Sequence, residues 1–452
     1  MISAVKVHFV GVAGTGMSAL AQLRAFSGDE VTGSDRLADH DGLGAERARL
    51  EAAGIKLFAQ DGGGITDATR RVVASTAIEK DNRDLARAAE LAVSVVHRAD
   101  ELAELAAARR TVAIAGTSGK STVTAMTFHI LQETGRSPSL AAGANLLSLR
   151  RRGLVGNAWR GESDILVMEA DESDGTLTRY SAEVGVLLNI SKDHKELSEL
   201  ESIFRTFRER SKRFVACADA PELAGFLAGA RTYGFDAGDL RGAELELTRD
   251  GSTFRAAGAV VRVPTPGRHN AMNALAALAA CAALDVPVAE AAAALATFSG
   301  VGRRFEVVGA ARGVEVVDDF AHNPQKVRAV LATARLRGRR VLAVFQLHGF
   351  APARFLKDEF IAAFSESLGP DDRLWLPDIY YVGGTAAKDV SASDYEAALS
   401  ARGVKARREP DRALIARQIA AEARSGDVVL VLGARDASLS AFAADILKGL
   451  QS

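Results

Sequence analysis

Short runs of β-branched and other apolar residues alternate with alanine- and leucine-rich stretches of helical spacing along the whole chain. This alternation predicts parallel β-sheets that are covered by helices on both faces. In the first block, strands are predicted at 5–10 and 30–34, with a helix at 15–26 between them. Further strands are predicted at 55–58 and 71–75. The pattern therefore indicates an α/β fold.

Two breaks in this pattern divide the chain into three predicted domains. A predicted helix around 100–109 is followed directly by a new apolar strand, TVAIAGT, which places the first boundary near residue 110. The second block contains strands at 164–170 and 184–190, an alternating piece at 243–263 and an alanine-rich helix at 270–284. Strand–helix alternation resumes after residue 301. The predicted domains are therefore 1–109, 110–301 and 302–452, in line with the length of the chain.

Composition excludes several classes of protein. The chain has 452 residues, of which 48% are hydrophobic and 25% charged, as in ordinary globular proteins. Its formal net charge of −1 gives no overall basic field that would favour nucleic acid or an anionic membrane. Two cysteines are too few for a disulfide framework, and the first residues lack the basic region of a secretory signal. The apolar runs are shorter than a membrane span, so we expect a cytoplasmic protein with no nucleic-acid or membrane partner.

The clearest candidate site is the segment AGTSGKST, which follows a predicted strand and opens a helix. Its glycines allow backbone N–H groups to converge on phosphate oxygens, and the N-terminus of the helix adds positive potential. Lys120 can then reach the terminal phosphates of a nucleotide, and the Ser121 hydroxyl can bind Mg²⁺. The segment is not a complete Walker A motif, because Ile114 stands where the first glycine belongs. The alternative is an ordinary strand–helix turn that happens to contain GKS.

Polar side chains end the next two predicted strands. The first strand is followed by the carboxylates Glu169, Asp171 and Glu172, and the second by the polar residues Asn189, Asp193 and His194 of NISKDH. Because the carboxyl ends of parallel strands meet at one edge of a sheet, both groups are predicted to lie near the phosphate loop. One or two protein oxygens there would complete the coordination of Mg²⁺. The alternatives are a solvated acidic turn and a structural histidine.

A second glycine-rich loop, GVAGTG, lies between the first predicted strand and the first predicted helix. Its spacing, G-x-x-G-x-G, differs from the G-x-G-x-x-G fingerprint of dinucleotide-binding proteins. Asp35 ends the second strand, where a Rossmann-like domain often contacts a ribose. Pyrophosphate binding is one interpretation of this loop, and a tight packing turn is the other. The spacing disfavours a nicotinamide-dependent oxidoreductase, as does the presence of a second nucleotide site.

The remaining candidates lie later in the chain. Asn270 and Asn273 share one face of a helix, where they can either read an adenine edge or cap the helix. Arg303 and Arg304 follow the second domain boundary, where an arginine can reach a phosphoryl group or form an exposed salt bridge. Two later strand ends carry the other polar candidates, which are Asp318, Asp319, His322, His348 and Arg354.

In their order along the chain, these motifs resemble those of the Mur ligase family. The matching segments are GVAGTGMSALA, VTGSD, GTSGKST, EADESD, NISKDH, GRHNAMNALAA, GVGRRFE, DDFAHNP, FQLHGF and GDVVLVLGA. They cover essentially the whole chain. The resemblance implies a Rossmann-like N-terminal domain, a central ATPase domain of the P-loop type and a Rossmann-like C-terminal domain.

The resemblance also implies roles for individual residues. The implied site for a UDP-sugar comprises Gly14, Thr15, Gly16, Ser34 and Asp35. The implied site for ATP comprises Gly116, Thr117, Ser118, Gly119, Lys120, Ser121, Thr122, Asn273, Arg304, Asp319 and His322. Mg²⁺ would be held by Ser121, Glu169 and His194, and catalysis would depend on Lys120, Glu169, His194 and Arg304. Contacts with the substrates are further implied for Asn189, His348 and Arg354.

The implied reaction is an ATP-dependent ligation in peptidoglycan biosynthesis. ATP would phosphorylate the carboxylate of UDP-N-acetylmuramate, and the amine of L-alanine or a related amino acid would attack the resulting acyl phosphate. A peptide acceptor, as in muropeptide recycling, is the first alternative. A nucleotide-binding relative with altered catalysis is the second. The protein is expected to be a monomer or a homodimer.

Three departures from the family pattern bear on the acceptor. Ser118 stands where GTHGKT has histidine, Asn323 replaces the second histidine of DDFAHHP, and Gly349 replaces the arginine of FQPHR. In the family the loop with that arginine lies near the acceptor amino acid, so the loss of a cation weakens the prediction of free L-alanine. Arg354 is a candidate replacement. The predicted metal site is flanked by two lysines, Lys192 and Lys195. Both are candidates for carbamylation.

Overall fold

Three β-sheets, each carrying helices, make up the computed structural model of the chain. The structure describes residues 4–38, 42–172, 176–191, 197–381 and 387–451. These residues group into two compact units, one containing residues up to 244 together with 254–262 and 272–301, the other containing 245–253, 263–271 and the chain from 302 onward. Within the described ranges, no helix is both long enough and apolar enough to cross a membrane.

The first sheet has five parallel strands. These are β1 (Lys6–Val10), β2 (Glu30–Ser34), β3 (Ile55–Phe58), β4 (Arg71–Ala74) and β5 (Ser94–His97), in the spatial order β3-β2-β1-β4-β5. Its helices are α1 (Thr15–Phe26), α2 (Ala45–Ala52), α3 (Arg83–Glu90) and α4 (Arg98–Ala107). Since β2 and β4 lie on opposite sides of β1, the connections diverge at the carboxyl end of β1. Open α/β sheets bind ligands in the crevice at such a point.

The second sheet has ten strands. They are β6 (Arg110–Ala115), β7 (Ser139–Ala141), β8 (Ala158–Trp159), β9 (Ile165–Glu169), β10 (Ala182–Leu187), β11 (Ser211–Cys217), β12 (Arg231–Gly234), β13 (Leu240–Leu247), β14 (Ser252–Ala256) and β15 (Ala259–Val263). Their order is β15-β14-β13-β12-β11-β10-β6-β9-β7-β8. The helices are α5 (Lys120–Glu133), α6 (Leu147–Arg150), α7 (Leu197–Glu209), α8 (Arg268–Ala282) and α9 (Val288–Leu295), with 3₁₀ turns at Thr176–Arg179 and Pro221–Phe226.

The third sheet has six strands. They are β16 (Glu306–Ala311), β17 (Val314–Asp319), β18 (Arg340–Phe345), β19 (Arg373–Leu376), β20 (Ala406–Arg408) and β21 (Asp427–Leu432), in the order β16-β17-β21-β18-β19-β20. Only the edge pair β16–β17 is antiparallel among the pairings of these strands. The helices are α10 (Pro324–Arg335), α11 (Phe350–Phe355), α12 (Lys357–Ser367), α13 (Ala392–Ser400), α14 (Arg412–Glu422) and α15 (Leu439–Gln451).

The two faces of the third sheet are both buried, which explains why its strands are continuous apolar runs. Along β18, Val341 and Phe345 pack into one hydrophobic cluster, which includes α10 and α12 residues. Leu342 and Val344 point to the opposite face and pack into a second cluster, which includes α14 and α15 residues. Side chains alternate between faces along a strand, so a strand covered by helices on both sides must be apolar at every position.

A buried amide network joins α1 to the segment that precedes β8. The Asn157 side chain donates to Thr15 O and to Ser18 Oγ, both at 2.8 Å. Its oxygen accepts from Gln22 Nε2, also at 2.8 Å. Asn157 and Gln22 are both completely buried. Buried amides are stable only when they are hydrogen-bonded, so this network fixes α1 on the edge of the second sheet.

The predicted α/β fold, with parallel sheets of the Rossmann-like kind, is confirmed. The first predicted helix coincides with α1 residue for residue, and the alternating piece at 243–263 forms most of β13 together with β14 and β15. β5 is missing from the prediction; it is a four-residue edge strand whose first two residues are exposed. The domain boundaries after residues 109 and 301 remain predictions.

Candidate active site

The phosphate loop, residues 116–119, lies at the centre of the second sheet. β6 ends at Ala115, and α5 begins at Lys120. β6 is flanked by β9 on one side and β10 on the other. The loop therefore occupies a point where connections leave the sheet in opposite directions, and the two predicted polar strand ends lie on either side of it.

Two glycines give this loop its shape. Gly116 and Gly119 have φ angles of +129° and +92°, a region that residues with a side chain rarely adopt. A Cβ atom on Gly116 would approach Asn189 O to 3.0 Å, and one on Gly119 would approach Asn273 Oδ1 to 2.6 Å. The loop is thus packed closely against the end of β10 and against α8, and Asn273 lies beside the phosphate loop. The adenine contact predicted for Asn273 remains a prediction.

Asn189 fastens the loop from the end of β10. Its Oδ1 accepts from Ser118 N at 2.9 Å, and its Nδ2 donates to Ser118 O at 2.9 Å. Its backbone oxygen accepts from Thr117 N at 3.2 Å. Thr117 Oγ1 also accepts from Ser191 N at 3.0 Å. The Asn189 amide is therefore used to hold the loop, and the substrate contact predicted for it remains untested.

Lys120 points back into the loop. Its Nζ donates to Gly116 O and to Glu172 Oε2, both at 2.8 Å. Burial alone would lower the pKa of Lys120, but the charges of Glu172, Asp171 and Glu169 raise it above its ordinary value. The ammonium is therefore charged and is held at the mouth of α5, where phosphate oxygens would lie in the predicted nucleotide site.

The carboxylates of the second predicted group differ in their surroundings. Glu169, the last residue of β9, accepts from Gly143 N through Oε2 at 3.0 Å. Glu172 is buried, and this burial raises its pKa, while Lys120 acts in the opposite direction. Ser121 and Thr122, in the first turn of α5, are buried as well. Glu172 had been placed in the acidic cluster by its sequence position, but its ion pair with Lys120 was not anticipated.

The metal-binding set is only partly covered by the structure. His194 lies outside the described residues, as do Lys192, Asp193 and Lys195. Within the described ranges, no group of three or more His, Cys, Asp or Glu side chains could hold a metal ion. The hydroxyl of Ser121 and the carboxylate of Glu169 are nevertheless the kind of oxygen ligand that Mg²⁺ takes when it keeps waters and substrate phosphates.

The two amides of α8 have different partners. Asn270 is buried and donates through Nδ2 to Pro266 O at 2.8 Å, just before the start of α8. Asn273 instead faces Gly119 of the phosphate loop. The contact with Gly119 makes Asn273 the better candidate of the two for a nucleotide contact.

The N-terminal glycine loop is held by Asp35. Its two carboxylate oxygens accept from Ala13 N and from Leu37 N, each at 3.0 Å. Gly14 precedes the first turn of α1, so the N–H groups of that turn are at the end of the loop. Ser34 is fully buried and donates to Asp84. Asp35 therefore shapes the predicted UDP-sugar loop, whereas the Ser34 side chain faces the interior.

One residue beside this loop was missed. A Cβ atom on Gly16 would come within 2.8 Å of a terminal nitrogen of Arg98, so the guanidinium lies against the first turn of α1. Arg98 is the first residue of α4. A cation at this point is well suited to an anionic group bound by the N-terminus of α1. The sequence offered no signal for Arg98, because the strand that precedes it, β5, was itself not predicted.

Asp319 and His322 lie at the carboxyl end of β17. Asp319 accepts from Phe305 N at 2.6 Å and from Ala321 N at 2.7 Å, and burial raises its pKa to about 6. His322 donates through Nδ1 to Phe320 O at 2.8 Å, which leaves Nε2 as an acceptor 3.4 Å from Lys326 Nζ. Burial and Lys326 lower the pKa of His322 well below its ordinary value, so the imidazole is neutral.

Arg303 and Arg304 have distinct surroundings. Arg303 donates to Asp318 Oδ1 at 3.2 Å and to Gly433 O at 2.7 Å, so it fastens the start of the third sheet. The Arg304 guanidinium lies over the Phe320 ring, 4.5 Å from its centroid. Its charge counteracts the rise in the pKa of Asp319. The predicted phosphate-binding role therefore fits Arg304 better than Arg303.

The last two candidates lie at and beyond the end of β18. His348 is buried, with its ring 5.6 Å from that of His322. Arg354 forms an exposed ion pair with Asp389. The structure therefore groups His348 with His322, whereas Arg354 has an acidic partner at the surface and does not reach that pair.

Replacing Gly349 by arginine tests whether the missing family cation selects the acceptor. Gly349 precedes α11 with φ +67° and ψ 134°, a conformation that residues with a side chain rarely adopt, so any side chain there costs about 1–3 kcal/mol of folding free energy. We expect Gly349→Arg to lower the melting temperature and to increase the use of free L-alanine relative to Gly349→Ala. The alanine variant carries the same backbone strain without the charge. If the two variants have the same relative activities with different amino acceptors, residue 349 does not select the acceptor.

Family models match three consecutive parts of the chain. Residues 6–110 match "Mur ligase family, catalytic domain", residues 114–281 match "Mur ligase middle domain", and residues 303–435 match "Mur ligase, glutamate ligase domain". The phosphate loop, β9, β10 and Asn273 all fall in the middle match. Asp319, His322 and Arg304 fall in the last one.

Known proteins match over nearly the full length. The chain is 35% identical over 461 residues to UDP-N-acetylmuramate–L-alanine ligase of Acidithiobacillus ferrooxidans, covering 96% of each chain. It is 38% identical over 441 residues to the enzyme of that name from Arthrobacter sp., covering 92% of this chain and 90% of that one. The crystal structure of UDP-N-acetylmuramate-alanine ligase MurC from Thermotoga maritima superposes with a TM-score of 0.80 at 25% identity, covering 99% of both chains. The chain therefore belongs to the Mur ligase family of ATP-dependent ligases.

Proposed function

We propose that this enzyme joins the carboxylate of UDP-N-acetylmuramate to the amine of L-alanine at the expense of ATP, in peptidoglycan biosynthesis. The observation that carries the proposal is the largely enclosed Lys120 at the start of α5, held in a glycine loop beside the acidic end of β9. That arrangement supports binding of a nucleoside triphosphate. The relatives named above support the identity of the two other substrates.

The chemistry explains why a triphosphate is needed. A carboxylate is a poor electrophile because the group expelled by an amine would be an oxide. Transfer of the terminal phosphoryl group of ATP to a carboxylate oxygen gives an acyl phosphate and ADP. Attack of the amine on the acyl carbon gives a tetrahedral intermediate, which expels inorganic phosphate and leaves the amide. The protein contributes positioning and positive charge around the transferred group.

The residues of the second sheet have defined parts in this scheme. The loop N–H groups and Lys120 bind the phosphates, and Asn189 keeps the loop in its binding conformation. Asn273 is proposed to contact the adenine. Ser121, Glu169 and His194 would hold Mg²⁺, which when bound neutralises phosphate charge and fixes the phosphate geometry. The three carboxylates that act on Lys120 leave an excess of negative charge here, which is consistent with a divalent cation.

The two other sheets would supply the remaining groups. The loop of Gly14, Thr15 and Gly16 is proposed to bind the diphosphate of the UDP-sugar, with Asp35 shaping the loop and Arg98 adding a cation beside it. On the third sheet, Arg304 is proposed to bind phosphate, and Asp319 and His322 to line the nucleotide site. His348, beside His322, is proposed to contact the acceptor.

The proposal extends to the location and the assembly of the enzyme. The enzyme is proposed to work in the cytoplasm, as a monomer or a homodimer. The two cysteines are free and buried, which is consistent with a reducing compartment.

A phosphate-release assay tests the proposal. Purified enzyme with ATP, Mg²⁺ and UDP-N-acetylmuramate is expected to release phosphate only when an amino acceptor is added. L-alanine, glycine, L-serine and a stem tripeptide are compared as acceptors, and L-alanine is expected to give the highest kcat/KM. A clear preference for the tripeptide would reassign the enzyme to recycling chemistry. Nucleotide binding without turnover for any acceptor would contradict the proposal.

A further inference from the structure

The Lys120–Glu172 ion pair is nearly closed off from solvent. The side chains of Lys120 and Glu172 are 12% and 9% exposed, and Nζ lies 2.8 Å from Oε2. The second hydrogen bond of the ammonium goes to Gly116 O, inside the phosphate loop. The cation that would meet phosphate oxygens is therefore already bound to a carboxylate of the same chain.

A phosphate group and Glu172 compete for the same ammonium. In a buried site a carboxylate and a phosphate of like charge also repel one another strongly, because little water screens them. Glu172 has no hydrogen bond from another cation among the described residues, and its ion pairs there are limited to Lys120. Nucleotide binding must therefore rearrange this pair.

We propose that Glu172 is an internal counter-ion, which occupies Lys120 in the nucleotide-free enzyme and is displaced from it when nucleotide phosphates bind. This inference rests on the proposed nucleotide site at the phosphate loop. Glu172 keeps the ammonium inside the loop while the site is empty. The cost is a weaker affinity for nucleotide, since the attraction between the two side chains is lost on binding.

The role predicts a gain of affinity when the charge of Glu172 is removed. Glu172→Gln keeps the size of the side chain and an oxygen that accepts from Lys120, so the fold is expected to be retained. Without the competing charge, ADP is expected to bind about tenfold more tightly. A residue that holds Mg²⁺ would have the opposite signature, because its loss weakens binding only when the metal is present.

Titration calorimetry with ADP separates these possibilities. Wild type and Glu172→Gln are titrated once in EDTA and once in Mg²⁺, and the gain is expected in both. Glu183→Gln, which removes a carboxylate paired with Lys212 on another part of the same sheet, is the matched control and is expected to bind like wild type. Asp171→Asn tests whether removing any nearby negative charge is enough, since Asp171 also acts on Lys120 by charge. Its gain in ADP affinity is expected to be smaller than that of Glu172→Gln.

Equal or weaker ADP binding by Glu172→Gln in EDTA would overturn the inference. A gain of the same size in Asp171→Asn would also overturn it, because direct contact would then be irrelevant. If Glu172→Gln does not fold, crystal structures of the wild-type enzyme with and without ADP decide the matter. A Lys120–Glu172 separation that stays at hydrogen-bond length with ADP bound would contradict displacement. Failure of wild type to bind ADP at all would instead refute the proposed function.

Discussion

Lys120→Ala is expected to reduce the rate of ligation by about 10³-fold or more, because it removes the cation that would neutralise the transferred phosphoryl group. Binding of UDP-N-acetylmuramate is expected to be nearly unchanged, since its proposed loop is on a different sheet. The rate is measured as ADP release with all substrates present, and sugar-nucleotide binding by calorimetry. Activity within tenfold of wild type would remove the phosphate loop from the proposed mechanism.

The same substitution leaves Glu172 buried without its counter-ion. The loss of one partner of a buried pair typically destabilises a protein by about 3 kcal/mol, so inactivity alone would be ambiguous. The double variant Lys120→Ala with Glu172→Gln is the appropriate control, because it removes both charges. It is expected to regain most of the lost thermal stability and to remain inactive. An active double variant would show that the single variant fails through unfolding.

Asn189→Ala is expected to lower kcat/KM for ATP by about 10²-fold, because small displacements of a positioning loop have effects of that size. The substitution removes both hydrogen bonds between the side-chain amide and Ser118. KM for UDP-N-acetylmuramate is expected to change little. Steady-state kinetics with each substrate varied in turn gives the two values.

Asn270→Ala is the matched control for Asn189→Ala. Asn270 is a buried side-chain amide on α8, and its Nδ2 donates to Pro266 O rather than to the phosphate loop. The Asn270→Ala variant is expected to lose about 1 kcal/mol of folding free energy, and its kcat/KM for ATP is expected to stay close to that of the wild type. If Asn189→Ala raised KM for the sugar nucleotide and left ATP unaffected, the direct substrate contact would be the better interpretation.

The elements that position the site were predictable because their sequence signals are local. The glycines, Lys120 and the helix that follows lie within a few residues of one another, and α1 was located to the residue for the same reason. Strand ends were also predictable, since apolar runs give way to polar residues there. β5 was missed because a short, partly exposed edge strand lacks the apolar pattern of a buried one.

The partners of individual side chains were not predictable. The sequence places Asn189 and Glu172 at strand ends near the phosphate loop, but it does not show which way each side chain turns. Their contacts with Ser118 and Lys120 join residues that are 71 and 52 positions apart. Asp319 illustrates the same limit. The sequence places a carboxylate at this strand end, but it does not show that the backbone N–H groups of Phe305 and Ala321 donate to its two oxygens.

The amide network around Asn157 affects how this chain can be recombined with others. Severing the polypeptide after residue 109 would separate Thr15, Ser18 and Gln22 from the amide that they share. Three hydrogen bonds would be broken at once, and the buried side-chain amides of Asn157 and Gln22 would become exposed to solvent. A chimaera that takes its first hundred residues from another species therefore needs a compatible residue at position 157, and an asparagine there is a simple criterion for choosing the donor.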